Sequence, residues 1–181
     1  MEQRTKRPVT AKEAREYAKT VLEREWSCAV TENRLIGGGS FGLVFEATTD
    51  QVPYPVILKG FRCDGMCLRE ARELRLLARD SAVKVPEVYF TFAATKELPM
   101  DFLCMEKVDG TNCFTDFGKL LCSKKEKERF ADEVTTSVHH WHTQTGGRFG
   151  LIDDAVYDTW LDFYRPFAVE ILEEARRMAS A

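Results

Sequence analysis

The feature that most limits what this chain can fold into is a glycine-rich segment beside stretches with the composition of β-strands. Residues 37–44 read Gly-Gly-Gly-Ser-Phe-Gly-Leu-Val, and the stretch over 43–49 is rich in β-branched and aromatic residues. Lys59 follows Val44 by fifteen residues, at the end of the apolar run Val-Ile-Leu-Lys. Glycines let backbone amides approach a polyphosphate, and a lysine on a neighbouring strand can neutralise its oxygens. The pattern therefore predicts a phosphate-binding hairpin.

The glycine segment by itself admits other interpretations. A dinucleotide-binding fold requires the glycines to open a helix, whereas the residues after Gly42 favour a strand. A glycine-rich hairpin without a ligand also stays open. Lys59 favours a nucleotide, because a charge in an apolar strand needs a partner, although a lysine pointing to solvent is the alternative for that residue alone. The loop residues that we predict to bind the nucleotide are Gly37, Gly39, Ser40, Phe41, Gly42 and Val44.

The partner that we predict for Lys59 is a carboxylate on the next helix. Residues 68–74 read Leu-Arg-Glu-Ala-Arg-Glu-Leu, which offers Glu70 and, one turn away, Glu73. We favour Glu70, and Glu73 is the competing choice. An ion pair of this kind would hold the lysine toward the oxygens of a bound polyphosphate.

The order of predicted elements indicates an α+β fold. A capping box, Thr10-x-x-Glu13, starts a helix that runs to about residue 26. Strands are predicted over 30–36, 43–49, 56–61, 87–93 and 102–108, with a helix over 68–79 between the third and the fourth. These elements make a mostly antiparallel five-stranded sheet with a helix laid on it.

The chain changes character at Asp109-Gly110, which marks a turn and a boundary between two lobes. Beyond it the pattern is helical, with a second capping box at Ser123, and Pro166 should kink or restart the last helix. We therefore divide the chain into an N-terminal helix (1–28), an ATP-binding lobe (29–108) and part of a helical lobe (109–181).

Residues 101–110, Asp-Phe-Leu-Cys-Met-Glu-Lys-Val-Asp-Gly, resemble the last strand and hinge of the small lobe in the protein-kinase-like superfamily. The resemblance implies that Met105 lies at the back of an adenine pocket. It also implies that the Glu106 carbonyl and the Val108 amide bond the edge of the adenine. With the glycine loop and its lysine, this segment predicts a protein-kinase-like N-lobe followed by the first helices of an incomplete helical C-lobe.

The segment after His142 indicates the branch of that superfamily. It lacks the His-x-Asp motif of protein kinases and runs through Arg-Phe-Gly into the aromatic-rich segment 157–164. Over about residues 30–178 the chain resembles the aminoglycoside phosphotransferase family and its relatives, the fructosamine and choline kinases. The resemblance implies that ATP and magnesium are the cofactors, and that the reaction moves the γ-phosphoryl group to a hydroxyl of a small molecule.

The catalytic loop of that family, His-Gly-Asp-x-x-x-x-Asn, does not occur in these 181 residues. We expect it and the metal-binding aspartate beyond Ala181, identify no catalytic residue or metal ligand here, and expect the chain alone to be inactive. The triplet Asp116-Phe117-Gly118 spells a magnesium-binding motif of protein kinases, but it comes before the catalytic-loop position, so we assign it to the helix after the hinge. The alternatives are a non-catalytic nucleotide-binding or regulatory module and a fragment of a eukaryotic-like protein kinase.

Composition and surface features indicate which classes of binding partner to expect. A formal charge of −3 gives no electrostatic reason to expect nucleic-acid binding. No apolar run reaches the length of a membrane span, and the polar N-terminus lacks the apolar core of a signal peptide, so we expect a cytoplasmic protein without a membrane partner.

We interpret His139, His140 and His142 as packing at a helix end rather than as a metal site. An apolar stripe on the last segment predicts an association surface, with self-association as one outcome; its residues are Tyr157, Trp160, Tyr164, Phe167 and Ile171.

Overall fold

A computed structural model of the chain describes residues 9–79, 84–110, 123–143, 146–151 and 154–179. The chain divides into two compact units, Met1–Thr111 and Asn112–Ala181. The helix that we predicted over the triplet 116–118 lies outside the described residues. The division into segments 1–28, 29–108 and 109–181 stays a prediction.

The first unit is a five-stranded sheet with two helices. The strands run antiparallel in the order β1-β2-β3-β5-β4. This arrangement confirms the predicted α+β fold with its antiparallel sheet. Its elements are α1 (Ala11–Trp26), β1 (Val30–Gly38), β2 (Gly42–Thr49), β3 (Val56–Phe61), α2 (Met66–Leu77), β4 (Val88–Phe92) and β5 (Asp101–Glu106).

Strand β5 is shorter than its sequence suggests. We predicted a strand to Val108, but β5 ends at Glu106, which pairs with Val56 at the start of β3. The residue before Val56 is Pro55, which has no N–H to donate and so cannot continue the ladder. The segment predicted to be the hinge therefore begins where the pairing with β3 stops.

Helix α1 begins at a complete capping box. The Glu13 amide donates to Thr10 Oγ1 at 3.2 Å, and the Thr10 amide donates to the Glu13 carboxylate at 3.0 Å. The helix ends at Ser27, whose φ of 51° is left-handed. The face that α1 buries is small and apolar, and its fully buried residues are Ala14, Ala18, Val21 and Leu22.

The two faces of the sheet have separate cores. Alternate side chains of a strand point to opposite faces, so Leu58 and Lys59 are divided between them. Leu58 belongs to the larger core beneath α1, together with Leu43, Phe45, Ala47, Val56, Phe102 and Cys104. The smaller core on the other face includes Phe61, Cys67, Ala71 and Leu103, which join β3 and β5 to α2. Lys59 therefore lies on the α2 face.

The second unit contains two helices and a short hairpin. Helix α3 (Lys124–Thr143) follows the predicted capping box, in which the Glu126 amide donates to Ser123 Oγ at 3.2 Å. After it come β6 (Phe149–Leu151), β7 (Asp154–Tyr157) and α4 (Trp160–Ala179). We expected only helices here, and the hairpin corrects that expectation. Strands of three and four residues are too short to show a periodic pattern.

Helix α4 starts later than predicted and does not restart at its proline. Tyr157, which we assigned to the helical stripe, lies in β7 instead. The helix begins after Thr159, whose Oγ1 accepts the Asp162 amide at 3.2 Å, and Pro166 lies inside it. The Trp160 and Tyr164 rings stack with their centroids 4.4 Å apart, and about half of the Trp160 surface is exposed. None of the described helices has the length and apolar character needed to cross a membrane.

Candidate functional site

Lys59 is the chemical centre of the candidate site. On β3 it lies opposite Val44 of β2 and Leu103 of β5. Its Nζ donates to Glu70 Oε1 at 2.7 Å and to Oε2 at 2.6 Å. The competing residue, Glu73, instead accepts a hydrogen bond from Arg69 at 3.0 Å on the exposed side of α2. Of the two acidic residues considered, Glu70 is the one that Lys59 meets.

The surroundings of Lys59 hold its ammonium group in one direction. The Lys59 and Glu70 side chains are 27% and 25% exposed, so water screens the pair only in part. Lys59 Nζ also lies 5.1 Å from the centroid of the buried Phe61 ring, within the range of a cation–π interaction. An ammonium has three donors, and the Glu70 carboxylate accepts two of them. The third can donate to an anionic ligand without breaking the pair.

The glycine-rich turn joins β1 to β2 and lies at the Phe61 end of β3. Gly37 is still within β1, where it pairs with Val44 after an irregularity in the register. The Gly39 amide donates to the Gly42 carbonyl at 2.9 Å, which closes the turn over Ser40 and Phe41. The Arg62 amide donates to the Phe41 carbonyl at 3.0 Å, so the turn is also tied to the end of β3. Phe41 itself is 65% exposed.

The glycines of this turn serve different purposes. A Cβ on Gly42 would lie 2.3 Å from the carbonyl oxygen of Gly60, so the contact between β2 and β3 requires a glycine there. A Cβ on Gly37 or Gly39 would meet nothing within 4 Å, and neither residue has a left-handed φ. The fold thus requires Gly42, whereas Gly37 and Gly39 leave space over the backbone of the loop. That space is what a phosphate group needs in order to approach the amides.

Two rows of side chains form the floor of the site on the α2 face. One row is Val44, Lys59 and Leu103, and the other is Glu46, Ile57 and Met105, as the pairing of β2, β3 and β5 dictates. The rows are two residues apart along β3, about 6.6 Å. Val44, Ile57 and Met105 thus make an apolar floor next to the Lys59 ammonium. We did not predict Ile57 or Leu103 as part of the site, because only the cross-strand register reveals them.

The predicted hinge follows β5 at the far end of this floor. The Glu106 side chain turns away from the floor, because Lys84 Nζ lies 2.8 Å from both of its carboxylate oxygens and the Glu87 amide donates to it at 3.1 Å. The hydrogen bond from Lys84, followed by that from the Glu87 amide, lowers the pKa of Glu106. The Glu106 amide in turn donates to the Glu87 carbonyl at 2.8 Å. Val108 lies just past the strand and is 41% exposed.

A second ionic cluster on this face was not predicted. Glu46 accepts hydrogen bonds from Arg34 Nε and Nη2, at 3.2 and 2.8 Å, and lies 2.8 Å from Lys107 Nζ. Hydrogen bonds from Lys107 and then Arg34 outweigh the cost of burial and lower the pKa of Glu46. The cluster joins β1 and β2 to the predicted hinge.

The described side chains were also compared with the clusters that hold metal ions in proteins. Among the described residues, which include His139, His140 and His142, no group of three or more His, Cys, Asp and Glu side chains could hold a metal ion. The prediction that ATP binds together with magnesium is not tested by this finding.

A cavity in the first unit is lined by residues other than Lys59. It has a volume of about 580 Å³ and opens at the start of α2, where Asp64, Gly65, Cys67 and Lys96 line it. Its buried acid, Asp101, accepts the amides of Gly65 and Ala94 at 2.8 Å each. These bonds join the start of α2 to the end of β4, so the fold itself uses this carboxylate.

No protein-family model matches the chain. The "uncharacterized protein YcbJ" of Escherichia coli K12 is 24% identical to it over 121 residues, which are 66% of this chain and 39% of that protein. The proteins of the same name from E. coli O157:H7 and Shigella flexneri match to the same extent. The chain thus spans about two fifths of the curated relatives that it matches.

The fold is similar to that of a solved kinase-like protein. A crystal structure of a thermostable mutant of aminoglycoside phosphotransferase APH(4)-Ia, in a ternary complex with AMP-PNP and hygromycin B, superposes with a TM-score of 0.50 at 19% identity. The match covers 83% of this chain and 49% of that one. The five-stranded antiparallel sheet with its helices is therefore a kinase-like fold, as the sequence predicted.

Proposed function

We propose that this chain binds ATP on the α2 face of its sheet, as the nucleotide-binding part of a kinase-like small-molecule phosphotransferase. The observation that carries the proposal is the Lys59–Glu70 ion pair, with Nζ–O distances of 2.7 and 2.6 Å, beside an open glycine turn. If Lys59 and Glu70 only stabilised the fold, no glycine turn with free space above its backbone would be needed beside them. The kinase-like fold, shared with a protein crystallised with AMP-PNP, supports the same proposal.

In this proposal each part of the site meets a different part of the nucleotide. The phosphates approach the loop backbone in the open space over Gly37 and Gly39, near the Ser40 amide, and the third donor of Lys59 binds an oxygen of the α- or β-phosphate. Val44 and Met105 contact the adenine ring together with Ile57. Backbone groups of the hinge bond the edge of the base, the carbonyl of Glu106 accepting and the amide of Val108 donating.

Titration calorimetry with ATP and ADP tests the proposal. We expect the wild-type chain to bind ATP and Lys59→Met to bind it at least about tenfold more weakly, because the variant removes a charge-assisted bond to phosphate. Glu70→Gln should weaken binding less, since Lys59 keeps its charge but loses the carboxylate that orients it.

The matched control is Lys19→Met. Lys19 lies on α1, 3.8 Å from Glu23, in a surface ion pair on the other side of the sheet from Lys59. This variant removes the same charge and the same number of atoms, so its affinity for ATP should equal that of the wild type. The proposal is wrong if the folded wild-type chain binds no ATP, or if both lysine variants reduce the affinity equally.

The phosphotransferase part of the proposal concerns the whole protein. The solved relative with a similar fold is named an aminoglycoside phosphotransferase, which suggests a small molecule bearing hydroxyl groups as the acceptor. The chain itself contains no His-Gly-Asp-x-x-x-x-Asn segment to orient such a hydroxyl. We therefore expect it to bind ATP without consuming it. ADP release above the rate in buffer, abolished by Lys59→Met, would contradict this expectation.

A further inference from the structure

We propose that Glu46 and Lys107 are positioning residues that hold the hinge in its adenine-binding geometry without touching the nucleotide. This inference rests on the proposed function, because it assigns a purpose to an ion pair at the base end of that site. It concerns residues that neither the sequence pattern nor the comparisons single out.

The location of the pair is the first step. Glu46 lies opposite Ile57, so it shares the row that ends at Met105 on the α2 face. Lys107 follows β5, and β3 lies between β5 and β2 in the sheet. The 2.8 Å contact between Lys107 Nζ and Glu46 therefore spans two strand spacings, about 10 Å. It closes the apolar floor at the end opposite to the Lys59–Glu70 pair.

The second step is the connection to the hinge backbone. Lys107 lies between Glu106 and Val108, the two residues whose backbone groups are proposed to bond the base. Anchoring its side chain restrains the two peptide groups on either side of it. The preceding residue is anchored in the opposite direction, because Lys84 lies 2.8 Å from the Glu106 carboxylate. The hinge is thus held from both sides of the sheet.

The third step is the burial of the central carboxylate. The Glu46 side chain is 14% exposed and the Lys107 side chain 33%, whereas the Arg34 side chain is 66% exposed. The Glu46–Lys107 contact is therefore the less hydrated arm of the cluster, and Arg34 fills the remaining acceptor capacity of the carboxylate from β1. A partly buried carboxylate that both Lys107 and Arg34 contact is held in one position, so it can restrain the segment that contains Lys107.

The test compares two ligands on the same variants. Glu46→Gln and Lys107→Met should each weaken ATP binding by about three- to tenfold, a range typical of coupled neighbours. They should leave the affinity for inorganic triphosphate unchanged, because that ligand uses the loop and Lys59 but not the hinge. The double variant should be no weaker than either single one, Lys107→Arg should restore part of the affinity, and Lys19→Met is again the matched control.

Hydrogen exchange in the nucleotide-free chain gives a readout that does not depend on ligand binding. Glu46→Gln should speed exchange of the amides over 106–108, because the hinge loses its anchor. It should leave the Gly39 amide unchanged, because that amide keeps its own bond to the Gly42 carbonyl. Unchanged hinge exchange, or an equal loss of affinity for ATP and triphosphate, would overturn the inference. If the variants match wild-type ATP affinity, the positioning role fails and the proposed function stands; if the wild type binds no ATP, both fail.

Discussion

Substituting Gly42 with alanine tests whether the last glycine of the turn serves the sheet rather than a ligand. The new Cβ would lie 2.3 Å from the Gly60 carbonyl oxygen and 3.3 Å from its carbonyl carbon. Both contacts are with backbone of the paired strand, so no change of side-chain rotamer can relieve them. Strands β2 and β3 would have to separate by most of an ångström at this point.

The expected cost follows from that overlap. Forcing extra atoms into a packed site costs about 1–3 kcal/mol, and a backbone clash with no route of relaxation belongs in the middle or upper part of that range. A loss of about 2 kcal/mol lowers the melting temperature of a chain of this size by about 4–8 °C. Thermal unfolding followed by far-ultraviolet circular dichroism measures the shift.

Gly39→Ala is the matched control for this experiment. It adds the same methyl group at a position with free space: the new Cβ meets nothing within 4 Å, and the residue has no left-handed φ. Its free energy of unfolding should stay within about 0.5 kcal/mol of the wild type. If the two variants melt at the same temperature, the close approach of Gly42 to Gly60 is not what requires a glycine there, and the reasoning is refuted.

Three further predictions concern other parts of the first unit. Thr10→Ala removes one half of the capping box of α1 and should cost about 1 kcal/mol in urea unfolding. Burial raises the pKa of the Cys104 thiol to about 12, so iodoacetamide at mildly alkaline pH should label exposed Cys63 while Cys104 reacts only after unfolding, as peptide mass mapping will show. The pKa of Glu46 is lowered in the folded chain, so its ion pair with Lys107 stabilises the fold above the ordinary value of 4.5 and is lost as the pH falls through the lower folded value. The difference in urea midpoint between wild type and Glu46→Gln should therefore shrink below pH 4.5, and a difference that stays constant to pH 3 would contradict the assignment.

Elements with strong local signals were predictable from the sequence. The capping box at Thr10 and the apolar run that starts at Val56 each indicate their element within a few residues, and β3 has the predicted bounds, Val56–Phe61. The Lys59–Glu70 pair was predictable as well, because it joins an apolar strand to the next helix along the chain.

Features that depend on distant parts of the chain were not predictable in the same way. Glu46 lies between Phe45 and Ala47, and by alternation it reads as an ordinary solvated position of a strand. Only the placement of β3 between β2 and β5 reveals that Lys107 can reach it. The end of β5 at Glu106 likewise depends on Pro55, which lies just before the neighbouring strand β3 and far from Glu106 in the sequence.

The order of the strands has a consequence for how the site assembles as the chain folds. The turn at Gly39 and the lysine on β3 are joined by two consecutive hairpins, so their end of the site closes only short loops. The other end requires Ile57 to pair with Met105, and α2 and β4 lie between these two residues in the sequence. Short closures are faster than long ones. We therefore expect the phosphate-binding end of the site to form early and the adenine-binding end to form last. Under this expectation only a chain with a complete sheet can bind the adenine base.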